Sequence, residues 1–412
     1  MLGEKIVRED TFVFELNSQN TLLNHIYKQG NIRVIDGMAD NKKCIIICSS
    51  NSIYFPNTYE EFRLKIICNN LFDGERLSSL LIEYVERIIL IRDVRKSFYV
   101  TGISEKCNSI DNVLHMLEEL TKGFEIITAG GSAGGYMASI IGSYLKVQYV
   151  INAGGQWNLY EYNDVIERYS FLSENKYNVA CNKWFDLSVR MAKNQVPILY
   201  MYGALNKSDI NQLKCAESIE HIYPIAIKSQ NHAQSVSTEP YLRLLCATRE
   251  DILKIYNDNK ECMVDIDILE SQINALIALP EGMKLSWATT NEKKQKAYED
   301  MLYEWVKMKQ NAYPREHYDC SMVAIWGKGR YCSLLMSDLR KQNIKVRCIL
   351  ETQPLDKEYE GIPIMKINDL PDGVDTIIVV PYYDIENIKE RVDEYCVGVN
   401  VIGIDEYIMT NY

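Results

Sequence analysis

Histidine is rare in this chain, with five in 412 residues. That scarcity shortens any search for a general base. No histidine has a second metal-type ligand at a usual helical or loop spacing, so a metal site is not expected. Long apolar runs are missing too. The longest, such as CIIIC at 44–48 and TIIVV at 376–380, are strand-length, well short of the roughly 20 residues that span a bilayer. Membrane insertion is therefore not expected. Positive charge is in deficit, with a net charge of −11, which argues against a primary role on nucleic acid or an anionic surface. The twelve cysteines form no CxxC pair, and the opening MLGEKIVREDTFVFELNSQN has no charged-then-apolar export pattern. Free thiols in a reducing cytoplasm are expected, not a disulfide framework. There is no internal repeat and no low-complexity tract.

What is present reads as globular. Hydrophobic residues make up 47% and charged residues 25%, and a chain of this length calls for two domains. Apolar, β-branched runs at 43–48, 87–92, 124–128, 147–152, 197–202 and 222–228 predict strands, and helical patterns such as 110–122 and 209–219 fall between them. Strands apolar almost throughout and alternating with helices predict an α/β fold with a mostly parallel sheet covered by helices on both faces. The expected first domain is 1–249. A cap at about 156–195, rich in aromatics such as Trp157, Trp184 and Phe185, interrupts its rhythm. Those rings can stack on sugars or form the cap's own core, the second being the simpler reading. No convincing strand is read in residues 250–316, taken as a helical connector. A second βαβ rhythm then defines a smaller domain over 317–412.

The stretch FEIITAGGSAGGYMASIIGSYL at 124–145 carries the chemistry. A serine held out on a sharp strand-to-helix turn needs small residues two before and two after it. Gly130 and Gly134 stand there around Ser132, with Gly131 and Gly135 beside them. The alternative is a quiet structural turn; the context, strand then turn then helix in the middle of a parallel series, favours the nucleophile. Such a serine is expected to act as a nucleophile, with the N–H of Ala133 as one oxyanion donor. The second donor is expected from the loop after 43–48, at Ser50 or Asn51.

A hydroxyl needs a base. His115 lies mid-helix, His221 precedes a strand, His25 is amino-terminal and His317 falls in the connector. His232, after the 222–228 strand, is the candidate, at the carboxyl edge where open parallel sheets build sites. The orienting acid should follow the 197–202 strand. Asp209 is the first choice there. Asn206, at the position usual for the acid, carries no charge and stands behind it. Asp93 is a more distant candidate and serves as well as a helix cap.

With these residues placed, 40–250 resemble the α/β-hydrolase superfamily through the elbow GGSAGG and the order serine, acid, histidine. The likeness is greatest to a divergent branch associated with bacterial capsule and surface-glycan clusters. The resemblance implies Ser132 as nucleophile and His232 as base, with a glycan or other small ester as substrate. The carboxy-terminal piece is similar to small Rossmann-like domains appended to glycan-modifying enzymes. In IWGKGRYC, Gly327 and Gly329 form a partial dinucleotide fingerprint, with Cys332 near its third position and Glu351 where a ribose-binding acid belongs. A nucleotide or nucleotide-sugar there stands against a docking or homo-oligomerisation module. Three functions follow. The first is an esterase or deacetylase, which needs no cofactor. The second is an O-acyltransferase drawing on an acyl-CoA donor such as acetyl-CoA and acting in surface-polysaccharide biosynthesis. The third is an inactive hydrolase-fold scaffold or binding module.

Overall fold

The structure, a computed structural model, describes residues 16–161, 169–283, 322–328 and 331–411, apart from positions 56, 58, 353, 355, 356, 382–384 and 397. It divides into two compact units, Met1–Lys284 and Leu285–Tyr412.

The larger unit is built on an eight-stranded sheet. Its strands are β1 (Ile32–Asp36), β2 (Lys43–Cys48), β3 (Arg87–Ile91), β4 (Glu125–Gly131), β5 (Tyr149–Ala153), β6 (Ile198–Gly203), β7 (Ile222–Ile227) and β8 (Met263–Val264). They run in the order β1-β3-β2-β4-β5-β6-β7-β8. Every pairing is parallel except β1 with β3. The apolar runs of β2 and β5 are buried because both faces are covered. Along β2 the side chains alternate: Cys44, Ile46 and Cys48 join one core cluster with Val113, Leu117, Met137 and Ile141 of two helices. The first of those helices, Ile110–Leu120, is capped by Ser109 and buries Ile110, Val113, Leu114 and Leu117, one stripe at helical spacing.

The sheet runs beyond the expected strands on both sides. β1 extends the sheet on one side as an antiparallel edge. On the other side β7 is not the last strand, since β8 pairs with it in parallel. The expected connector from 250 thus begins inside the larger unit, as helix Arg249–Asn259, then β8, then helix Ile266–Leu276. The rest of that connector, and His317 directly after it, lie outside the described residues, as do positions 162–168 of the cap. Within the described cap, Trp157, Phe185 and Trp184 are buried in the main core while Tyr177 is 82% exposed, so most of its aromatics are packing.

The smaller unit holds β9 (Met322–Trp326), β10 (Lys345–Leu350), β11 (Glu358–Tyr359), β12 (Ile362–Met365), β13 (Thr376–Val379) and β14 (Asn400–Gly403). Their order is β11-β12-β10-β9-β13-β14. Only β11 pairs antiparallel. The parallel strands therefore follow the doubly wound order, with the crossover reversing at β9.

Candidate active site

The chain runs from β2 outward to β3, then returns past β2 to lay down β4, so the carboxyl ends of β2 and β4 flank the point where the winding reverses. Open α/β sheets bind ligands at such points. Ser132 stands there, between β4 and the helix Ala133–Leu145, at φ 50° and ψ −123°. A non-glycine residue in this region is strained by about 1–3 kcal/mol, and its surroundings hold it. Its N–H donates to the Ala153 carbonyl at 2.9 Å, and its carbonyl accepts from the Tyr136 N–H at 3.0 Å. A Cβ on Gly130 would lie 2.4 Å from the Gly134 carbonyl carbon, and one on Gly134 would lie 2.1 Å from the Cys48 oxygen. The turn closes only without those side chains.

His232 comes from the loop after β7. That loop lies against Gly154, itself at φ 59°, where a Cβ would stand 2.4 Å from the Ala233 Cα. The close approach carries the imidazole over the elbow, placing Nε2 2.9 Å from Ser132 Oγ. Nδ1 lies 2.5 Å from Asp209 Oδ1. The other carboxylate oxygen, Oδ2, accepts the N–H groups of Gly203 at 3.0 Å and Ala233 at 3.1 Å. Asp209 is 1% exposed, so its orientation is fixed by packing as well as by these bonds.

Asn206 does something else. It is the N-cap of the helix Lys207–Cys215, accepting from the N–H groups of Ser208 and Asp209, and its Nδ2 donates to the Gln230 carbonyl at 2.9 Å. The structure therefore brings Asp209 to the histidine and leaves Asn206 as a tie between the acid's helix and the histidine's loop. Asp93 is buried and accepts from the Tyr99 N–H, the Ser97 hydroxyl and the Arg95 N–H, closing the turn after β3.

Of the expected oxyanion donors, Ala133 begins its helix, so its N–H has no acceptor within that helix. Ser50 is corrected: its N–H and hydroxyl both donate to Asp73 Oδ2, at 2.7 and 2.9 Å. Burial nevertheless pushes the Asp73 carboxyl above its ordinary range. Asn51 is 9% exposed, and its side-chain amide has no hydrogen-bond partner among the described residues.

Gln156 was not foreseen as a site residue, since its stretch was read as the start of the cap. It follows β5 at the same carboxyl edge, is fully buried, and places Nε2 3.4 Å from His232 Nε2. Position after a strand of the parallel series was the available signal.

In the smaller unit, Gly327 ends β9 at φ 95° and donates its N–H to the Leu350 carbonyl at 2.9 Å. The neighbouring Lys328 N–H donates to Glu351 Oε1 at 3.3 Å. Gly327 and Glu351 thus meet at one sheet edge, while Gly329 lies outside the described residues. Cys332 is buried as the first residue of helix Cys332–Lys341. Among the described residues no His, Cys, Asp or Glu group is arranged to hold a metal, and no helix is long and apolar enough to cross a membrane.

No protein-family model and no curated protein matches the sequence. Among solved structures the chain is similar to the capsule O-acetyltransferase of Neisseria meningitidis serogroup A, at 14% identity and TM-score 0.36 over 50% of this chain and 85% of that one. It is similar to MenH from S. aureus, at 12% identity and TM-score 0.33 over 55% and 99%. A third likeness is to 2,6-dihydroxy-pseudo-oxynicotine hydrolase, at 12% identity and TM-score 0.36 over 61% and 67%. All three are distant, and the activities in those names belong to those proteins.

Proposed function

We propose that the larger unit is a serine-dependent acyl-transfer enzyme that forms an acyl-enzyme on Ser132. Its acceptor is water, and it acts as an esterase or deacetylase on a glycan or small ester. The observation that carries this reading is the unbroken contact chain from Ser132 Oγ through His232 to a buried Asp209 carboxylate. In the first step Ser132 Oγ attacks the ester carbonyl carbon while His232 Nε2 takes its proton. Asp209 holds the tautomer with Nδ1 protonated and stabilises the imidazolium. The Ala133 N–H and the Asn51 amide stabilise the oxyanion, and donors of this kind are worth about 3 kcal/mol each. The intermediate collapses as His232 protonates the leaving alcohol. Water then repeats the sequence on the acyl group and frees the serine.

An inactive scaffold drew its support from an uncharged residue at the acid's position. With Asn206 capping a helix and Asp209 on the imidazole, that support is gone. A transferase shares every step up to the acyl-enzyme and differs only in its acceptor.

The test is intact-mass labelling with a fluorophosphonate. A single adduct is expected, absent in Ser132→Ala and slowed on the order of 10³-fold or more in His232→Ala and Asp209→Asn. A folded protein that takes no adduct would sink the reading. Acetyl-CoA hydrolysis that speeds up when a sugar is added would move the acceptor from water to the sugar.

A further inference from the structure

Gln156 is the polar side chain in this site that the acylation chemistry does not use. Its backbone is clamped on both sides. The Gly155 N–H donates to Asn152 Oδ1 at 2.6 Å, and the Trp157 N–H donates to Gln212 Oε1 at 2.7 Å. Gly155 itself admits no Cβ, which would lie 2.5 Å from both Asn152 Oδ1 and the Tyr136 nitrogen. The side chain is thereby delivered to the base, with Nε2 3.4 Å from His232 Nε2. Its Oε1 is buried and has no hydrogen-bond partner among the described residues. A buried acceptor without a donor costs stability.

We infer that Gln156 positions the acceptor for deacylation, and that it selects acceptors carrying two O–H groups within reach of one another: water, or a vicinal diol such as a sugar presents. This rests on the acyl-enzyme reading above. One O–H of the acceptor donates to His232 Nε2, and the second donates to Gln156 Oε1. The acceptor oxygen then attacks the acyl carbonyl carbon as its proton passes to Nε2. The bond from that carbon to Ser132 Oγ breaks, and Oγ takes the proton back from the imidazolium. A monohydric alcohol has a single O–H, which it must give to the histidine, so Oε1 stays unpaired in its transition state. Discrimination by an unpaired polar group is the strong kind that buried sites achieve.

The experiment follows the acetyl-enzyme by intact mass after mixing with 4-nitrophenyl acetate, in wild type, Gln156→Met and Gln156→Glu. Fluorophosphonate labelling of the same proteins reports Ser132 activation alone. In Gln156→Met the acetyl-enzyme is expected to live about tenfold longer or more, while labelling stays within about threefold of wild type. Gln156→Glu, which keeps an acceptor oxygen, should recover part of the deacylation rate. Wild type should partition to ethylene glycol over ethanol by about fivefold or more per hydroxyl, and that ratio reads the inference even where a variant fails to fold. Acetyl-enzyme lifetimes within about twofold of each other would overturn it. So would labelling and deacylation that fall together, because Gln156 would then only support His232, and so would a wild type indifferent between glycol and ethanol. A wild type that never labels removes Ser132 itself, a failure distinct from all of these.

Discussion

Two polar residues three apart, Asn206 and Asp209, have different tasks because of where each sits on one helix. A side chain at the third helical position leans back toward the amino terminus. Asp209 is at that position, so its carboxylate reaches past the cap to the Gly203 N–H and to His232. Asn206, at the cap, has its oxygen engaged by two N–H groups of the first turn. Replacing the cap should therefore cost stability and leave the Asp209 carboxylate beside the imidazole in place. Asn206→Ala is expected to lose about 1 kcal/mol, read as a lower urea midpoint. Its labelling rate should fall less than about tenfold, since the tie to Gln230 affects only the placing of the histidine loop. Labelling as slow as in Asp209→Asn would show that Asn206 is needed to set up the base as much as the carboxylate is. Sequence pattern puts Asp209 ahead of Asn206 by charge alone, but which one reaches the histidine is a matter of helical register, and a list of spacings does not contain it.

At the scale of elements, the six strands read from apolar runs are β2 to β7; β2 to β6 are buried almost throughout, which demands such runs, while β7 is buried only at Ile225 and Ile227. β1 and β8 escaped for opposite reasons. β1 is an edge strand whose residues are half exposed, so IRVID shows no buried face. β8 is two residues long and has no period to detect. The elbow was legible because its requirement is steric and falls on fixed positions, whereas Ser50, Asn51 and Gln156 sit on loops, where turn geometry alone decides which side chain faces the serine. The steric requirement is also the sharpest one to test. Helix Ala133–Leu145 packs against β2 through Gly134, and the atom a methyl would meet is a backbone oxygen that cannot rotate away. Gly134→Ala should push the elbow off the end of β2 and destabilise the larger unit by about 1–3 kcal/mol. It should also cut fluorophosphonate labelling by about tenfold or more, because Ser132 moves with the elbow away from His232. Wild-type labelling in a folded Gly134→Ala protein would mean the turn has room that these contacts deny.

Over the whole molecule the charge balance is acidic, yet one lysine is fully buried near the head of β2 and β3. Lys96 lies 3.7 Å from the Tyr54 ring centroid and donates to Asn57. Burial lowers its pKa from 10.5 to about 7, with Lys65 acting in the same direction and Asp93 and Asp73 opposing. Below pH 7 the folded and unfolded chains both hold the proton, and the folded chain bears the whole cost of burying it. Between about 7 and 10.5 the unfolded lysine keeps a proton that the folded one releases, so stability rises with pH. Asp73 and Asp93, raised by burial, have the opposite effect, setting in from the carboxylate range upward. Buried thiols such as Cys332, pushed up to about 12, weaken the fold only as pH passes the ordinary thiol range. The window from about pH 7 to 8.5 is where the lysine titrates, below the ordinary thiol range. Across it, wild type is expected to gain on the order of 1–2 kcal/mol from this group. Lys96→Met, which keeps the stem against Tyr54, should lack that gain when urea midpoints are compared at constant ionic strength. Midpoints that move in parallel for the two proteins would mean Lys96 stays protonated in the folded chain, held by the two buried carboxylates against the cost of its burial.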